Sequence, residues 1–274
     1  MFFYFIRLLT SKERVLLFLT GVVLLCLLSG VFASAAVSAA SPPAAPVSGE
    51  AGASVSAQAE SESEDQIDWK VFHSLSFPYN NHPGGRGSNV NGVLACRAVN
   101  GVILAPGEEF SYNETLGPRD EESRYVYGTT YSKGRVVHDI GGGICKISTM
   151  LYQLCLISGM DVTERSAHSM LVEYAPGGLD AAVAWGYKDF RFVNSRRAPV
   201  RIGASYDPYR RIFTVDFSLP ADYTDEHSGL RYCPVSVQIG EYTYWSYLEI
   251  YDSHGVRVGI LVLGKNSYLG TGQS

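Results

Sequence analysis

The chain has 274 residues and a formal net charge of −5, with 46% hydrophobic and 18% charged residues. Nucleic-acid binding needs Lys and Arg clustered into a stripe or patch, and no such cluster occurs, so that partner class is excluded. Once an atypical first sixty-odd residues are set aside, about 210 remain, enough for one large domain or one with a small appendage.

Residues 1–14 form a basic leader, with Arg7, Lys12 and Arg14. Residues 15–37 are uncharged and apolar, about the twenty-odd residues a helix needs to cross a bilayer. Basic charge before this run and acidic charge after it (Glu50, Glu60, Glu62, Glu64, Asp65) predict an N-in, C-out orientation. The segment reads as a signal-anchor, which makes the protein a single-pass membrane protein with its main domain outside the cytoplasm. The alternative is a cleaved signal peptide and a secreted protein, because Ala33-Ser34-Ala35 and Val37-Ser38-Ala39 offer the small residues that signal peptidase accepts. Residues 38–66 are rich in Ala, Ser, Pro and Glu. They hold too little apolar surface to offset their ordering entropy and read as a flexible linker.

The exported part divides into residues 67–217 and a β-rich extension, 218–274. Residues 80–87 read as a loop, 89–99 as a helix and 101–104 as a short strand closed by Pro106-Gly107. A further short segment begins at Phe110, and Gly117-Pro118-Arg119-Asp120 is a turn. Ile144, Ile147, Leu151, Leu154 and Ser158 recur at helical spacing after Gly141-Gly142-Gly143, and Gly159 supplies a stop. Alternation then predicts strands over 165–174 and 180–185, followed by 190–193, 200–204 and 212–217, with two or three more in 230–264. The fold class is α+β: a helix carrying a cysteine at its N-terminus packs on an antiparallel sheet, preceded by an N-terminal transmembrane or signal helix.

Of five cysteines, Cys26 lies in the apolar run, which leaves Cys96, Cys145, Cys155 and Cys233. An even number permits two disulfides. Buried thiols with one reactive member are the favoured reading, since a chain of this size does not need covalent staples. Cys145 stands out because it begins a helix after three glycines. Unpaired N–H groups and the helix dipole favour a thiolate there. The glycines, Gly142 and Gly143 among them, admit close approach and leave backbone donors for an oxyanion. Lys146 adds positive charge. His168 is the candidate base and Asp180 its orienter, with Asp189 competing for the orienting role. Cysteine at a helix start, then histidine, then a polar orienter is also the order of the papain-like and transglutaminase-like hydrolases. Cys155 reads as core, and His138 and Asp139 line the site or belong to a loop. No ligand pair has metal-site spacing, and neither metal nor cofactor is expected.

Four ordered motifs carry a resemblance. Residues 106–113 read PGEEFSYN and are followed by Gly117-Pro118-Arg119; residues 141–152 read GGGICKISTMLY; residues 164–169 read ERSAHS; residues 178–183 read GLDAAV and are followed by DFRFVN at 189–194. Together they resemble the VanW family over residues 70–217. One departure is Lys146, where the family usually has glutamine. The resemblance implies a bacterial, often membrane-anchored protein associated with vancomycin-resistance clusters, with peptidoglycan stem peptides as partners and L,D-transpeptidation as the activity. It implies Cys145 as nucleophile, His168 as base and Asp180 as orienter; Arg119, Gly142, Gly143, Lys146 and Tyr152 are the candidate residues on the substrate or oxyanion side. Two other readings stay open: a cysteine peptidase of the cell wall, and a non-catalytic wall-binding module in which Tyr112, Tyr125, Tyr127 and Tyr131 stack on ligand.

Overall fold

The computed structural model describes residues 67–81, 85–132 and 134–270. The basic leader, the apolar run at 15–37 and the linker at 38–66 lie outside the described residues. Among the described residues no helix is long and apolar enough to cross a membrane. Those residues form one compact unit.

The architecture is mixed, with mostly antiparallel sheets around few helices. The largest sheet takes β1 (Trp69–Pro78), β9 (Ile212–Pro220), β8 (Val200–Asp207) and β2 (Ile103–Leu104) in that order, every pair antiparallel. Alternation makes its core face: Val200, Ile202, Phe213, Val215 and Phe217 are buried, while Arg201, Gly203, Thr214 and Asp216 between them are more exposed. Against this face lies α3 (Cys145–Ser158), with Ile147, Met150, Leu151 and Leu154 fully buried. Gly159 ends the helix in the left-handed conformation (φ 67°), and Met160 N–H donates to Cys155 O at 3.0 Å, as a helix stop of the glycine type requires. The helix predicted from Ile144 onward is therefore present with its expected cap.

The other face of α3 is polar and does something the periodicity did not indicate. Ser148 Oγ donates to Ala181 O at 2.8 Å, Ala181 N–H donates to Thr149 Oγ1 at 3.0 Å, and Gln153 Nε2 donates to Leu179 O at 3.0 Å. Residues 179–183 thus lie along the helix, their backbone groups satisfied by its side chains. This corrects the strands expected at 165–174 and 180–185. Both stretches are irregular, and the strand present in that region is β6 (Asp161–Glu164). It joins β7 (Arg191–Val193) and β3 (Glu109–Ser111) in a small sheet, and α2 (Tyr112–Leu116) follows β3 directly. A buried backbone needs partners for its polar groups, and here side chains rather than a ladder provide them.

Two further differences concern boundaries. The first helix, α1 (Gly85–Val99), begins four residues before the expected Asn89. Its early residues pack so tightly that a Cβ on Gly87 would meet Tyr127 O at 2.0 Å. Tyr127 opens a hairpin, β4 (Tyr127–Ser132) with β5 (Arg135–Ile140), that the sequence did not reveal. Residues 218–274 do provide three strands, β10 (Arg231–Gly240), β11 (Thr243–Tyr251) and β12 (Arg257–Ser267), in an antiparallel meander. They do not stand apart as an appendage. Tyr268, just beyond β12, is buried against Gly178 and Asp180.

Candidate active site

The site starts from the glycine turn that delivers the chain into α3. Gly143 has φ +104°, and a Cβ there would meet the Ser88 backbone of α1 at 2.6 Å; a Cβ on Gly142 would meet Gly128 O at 2.2 Å. Only glycine fits both positions. Asn91 holds the turn from α1, its Nδ2 donating to Gly142 O at 2.8 Å and Val126 O at 2.7 Å. Tyr112, fully buried, donates to Ile144 O at 2.9 Å. Gly142 N–H is spent on Asp139 O and Ile144 N–H on Gly141 O. Among the described residues the N–H groups of Gly143 and Cys145 have no hydrogen-bond partner. They are two residues apart at the positive end of a helix, the placement an oxyanion needs.

Cys145 is half-buried beside them. Its sulfur accepts from Val183 N–H at 3.4 Å. It shares a narrow pocket with Gly143, His168, Thr130, Tyr131 and Tyr174. Burial pushes its pKa up, but the hydrogen bonding and charge of His168, the Val183 N–H and the charge of Arg119 together bring it below the ordinary thiol value. The imidazole of His168 is buried and clamped edge-on by Tyr131 and Tyr174, with ring centroids at 6.0 and 6.3 Å. Its Nε2 has no partner of ordinary hydrogen-bond geometry, while Nδ1 lies 2.7 Å from Asp180 Oδ2. That bond fixes which nitrogen is left for the thiol. Burial alone would lower the His168 pKa; the bond to Asp180 and the adjacent thiol raise it to about 9. Thiolate and imidazolium therefore stabilise each other.

Asp180 is 1% exposed and fully engaged. Oδ2 accepts from both the backbone N–H and the ring of His168, while Oδ1 accepts from Arg165 Nη2 at 2.9 Å and from the Tyr268 hydroxyl at 2.5 Å. Burial would raise its pKa, and His168 and Arg165 hold it below the ordinary carboxylate value.

The other candidates are placed differently. The Lys146 ammonium donates to Pro78 O at 2.8 Å and sits 5.2 Å from the centre of the Tyr174 ring. Burial lowers its pKa to about 8. Arg119 is near enough to act on the thiol by charge, but its guanidinium donates to Gly117 O and Asn113 Oδ1 and lies over Trp185. Tyr152 is buried under Arg165 and against Phe190, away from the pocket. Asp189 is committed to Ser111, Asn113 N–H and Arg191, so it does not compete for His168. His138 and Asp139 lie on β5 at the surface. Cys155 and Cys96 are buried, and burial raises both thiols, Cys96 to about 12. Cys96, Cys145, Cys155 and Cys233 are all free thiols. Of the four tyrosines considered for stacking, Tyr112 and Tyr125 are buried, Tyr127 is exposed and Tyr131 faces the pocket. Among the described residues no three His, Cys, Asp or Glu side chains are grouped to hold a metal ion.

Three residues of this constellation carry no functional expectation from sequence. Arg165 sits three residues before His168 within the segment ERSAHS at 164–169, whose local sequence could signal it. Tyr268 and Asn266, which accepts from Arg165 Nη1 at 2.6 Å, lie about a hundred residues further on with no local cue.

The class of protein is thus an α+β domain whose helix N-terminus presents a half-buried thiol to an imidazole backed by a carboxylate. Residues 86–215 match the family model described as VanW like protein, so this domain is similar to the VanW family. The chain is 33% identical over 126 residues to "Uncharacterized protein YoaR" of Bacillus subtilis (strain 168), a match covering 46% of this chain and 41% of that one. It is 28% identical over 156 residues to "Vancomycin B-type resistance protein VanW" of Enterococcus faecalis (strain ATCC 700802 / V583), covering 54% of this chain and 57% of that one. The matches thus span about half the length of these relatives. No solved structure matches the chain.

Proposed function

We propose that the protein is a cell-wall acyltransferase, an L,D-transpeptidase that acts outside the cytoplasm from a membrane anchor. The observation that carries this reading is the line Cys145–His168–Asp180, with Nδ1 bonded to the carboxylate, Nε2 left over, and the Gly143 and Cys145 N–H groups unpartnered beside the sulfur. The name of the Enterococcus faecalis relative, a vancomycin B-type resistance protein, supports the cell wall as the setting.

The Cys145 thiolate adds to the carbonyl carbon of the third residue of a tetrapeptide stem, and the Gly143 and Cys145 N–H groups receive the oxyanion. As the intermediate collapses, the C–N bond to the terminal D-alanine breaks and imidazolium His168 gives its proton to the departing amine. A thioester remains. The side-chain amine of a second stem then adds to that thioester, His168 takes its proton, and the C–S bond breaks. A 3→3 cross-link forms and the thiolate returns. Asp180 stays ionised throughout and stabilises the imidazolium, the role a buried carboxylate has in such triads.

The test is to incubate the full chain with disaccharide-tetrapeptides and look for cross-linked dimers and free D-alanine by mass spectrometry. Dimers with wild type and none with Cys145→Ala are expected. Equal behaviour of the two overturns the proposal. Shortened monomers without dimers replace the amine acceptor by water and make the protein a peptidase.

A further inference from the structure

We infer that Tyr268 is a positioning residue of the thiol site, so that the C-terminal strands complete the catalytic machinery. The inference rests on the acyl-transfer reading of Cys145 and His168. Tyr268 lies outside the region that matches the family, which ends at residue 215.

The direction of the Tyr268 hydroxyl is fixed by its two partners. Gly178 N–H lies 2.5 Å from the Tyr268 oxygen and can only donate to it, so the single hydroxyl proton is left for Asp180 Oδ1, also at 2.5 Å. Asp180 therefore divides its work: Oδ1 is held by Tyr268 and Arg165, and Oδ2 is left for the two nitrogens of His168. Without the anchor at Oδ1 the carboxylate can turn about its Cβ–Cγ bond and the Nδ1 contact loosens.

The same strands hold the rest of this segment. Asn266 of β12 accepts from Arg165 Nη1, while Arg165 Nε donates to Asp180 O at 2.6 Å, so the guanidinium bridges β12 to the acid. Leu269 N–H donates to Ser169 O at 2.7 Å, next in chain to His168. On the acid's side, Ser236 Oγ donates to Gly177 O at 2.6 Å, and a Cβ on Gly177 would meet the Tyr244 ring at 2.4 Å. The irregular stretches that carry His168 and Asp180 have no ladder of their own, so these contacts take the place of a sheet.

The test compares wild type with Tyr268→Phe, which keeps the ring and removes the hydroxyl. The full chain is alkylated with iodoacetamide at a series of pH values, and modification at Cys145 is read by peptide mass spectrometry. Turnover of disaccharide-tetrapeptide and urea unfolding are measured alongside. The expected result is an upward shift of the Cys145 titration midpoint and a fall in kcat of about ten- to a hundredfold with KM unchanged, the cost of a slightly misplaced catalytic group. A purely structural role would lower the unfolding midpoint and leave the titration where it was; that outcome overturns the inference. Should Tyr268→Phe not fold, Asn266→Ala loosens the same acid through Arg165, and an unchanged Cys145 titration there overturns it equally. Should wild-type Cys145 itself titrate as an ordinary thiol, the acyl-transfer reading falls first, and the two failures are distinguished.

Discussion

One oxygen of Asp180 holds His168 twice: Oδ2 lies 2.7 Å from the backbone nitrogen and 2.7 Å from ring Nδ1. The carboxylate thus fixes both the position of the residue and the orientation of its imidazole. A histidine on irregular backbone gains in this way the definition that a strand would otherwise supply.

The first prediction concerns the thiol. Cys145 has a lowered pKa and His168 a pKa raised to about 9. The thiolate forms as pH rises through the lowered value, and the imidazolium persists until about 9. Alkylation of Cys145 by iodoacetamide should therefore approach its plateau at a pH where an ordinary thiol, with a pKa of about 8.5, is mostly protonated. In His168→Ala the plateau should move upward to the ordinary thiol range. A stopped-time alkylation series over pH 5–10 checks both.

Asp180→Asn keeps the shape and removes the charge. The variant leaves Arg165, whose side chain is 12% exposed, without its counter-ion, and breaking one side of a buried pair costs about 3 kcal/mol. Turnover should fall on the order of a thousandfold or more, because the imidazolium loses its stabiliser and the ring its preferred tautomer. Urea unfolding and single-turnover kinetics measure the two effects separately.

Gly143→Ala should destabilise more than Gly107→Ala. Both glycines have positive φ, +104° and +78°, but a Cβ at Gly107 meets nothing within 4 Å while one at Gly143 meets the Ser88 backbone at 2.6 Å. Gly107→Ala should cost about 1 kcal/mol of conformational strain. Gly143→Ala should cost about 2 kcal/mol or more and displace an oxyanion donor. Thermal melts of the two variants compare them directly.

Lys146→Gln replaces a buried ammonium by a neutral amide of similar length. Burial lowers the Lys146 pKa from 10.5 to about 8, so between those values the unfolded chain holds a proton that the folded one does not. Stability then rises with pH across that window. Relative to Lys146→Gln, the wild type should be less stable at pH 7 and recover as pH rises through 8 toward 10.5. Urea midpoints at pH 7 and pH 10 give the sign. Because the ammonium bonds to Pro78 O and not to the site, the alkylation profile of Cys145 should change little.

The parts of the fold legible in the sequence are those where a period reports burial. Ile147, Leu151 and Leu154 mark the core side of α3, Gly159 its end, and the alternation through Val200–Ala204 and Ile212–Phe217 marks β8 and β9. The hairpin of β4 and β5 escaped because Val136, Val137 and Tyr127 are exposed and its backbone packs on glycines, so no apolar pattern advertises it. The strands expected around His168 and Asp180 failed for a related reason. The alternation there is real, with Met170 and Val172 buried on alternate positions alongside His168, but hydrogen bonds to Ser148, Thr149, Gln153 and Asp180 replaced the ladder.

By itself the sequence determined the helix, the glycine turn before it and the thiol at its start, since each depends on neighbours within a few residues. It also determined that histidine and carboxylate follow in that order. Only the tertiary structure decided that Asp180 and not Asp189 faces His168, that the Lys146 ammonium bonds to Pro78 O, and that Tyr268 completes the carboxylate's shell from 88 residues further along the chain. A charged group buried in low dielectric takes whichever partner the packed backbone brings within hydrogen-bond reach, and that partner is chosen by packing across the whole domain, beyond the range of any local pattern.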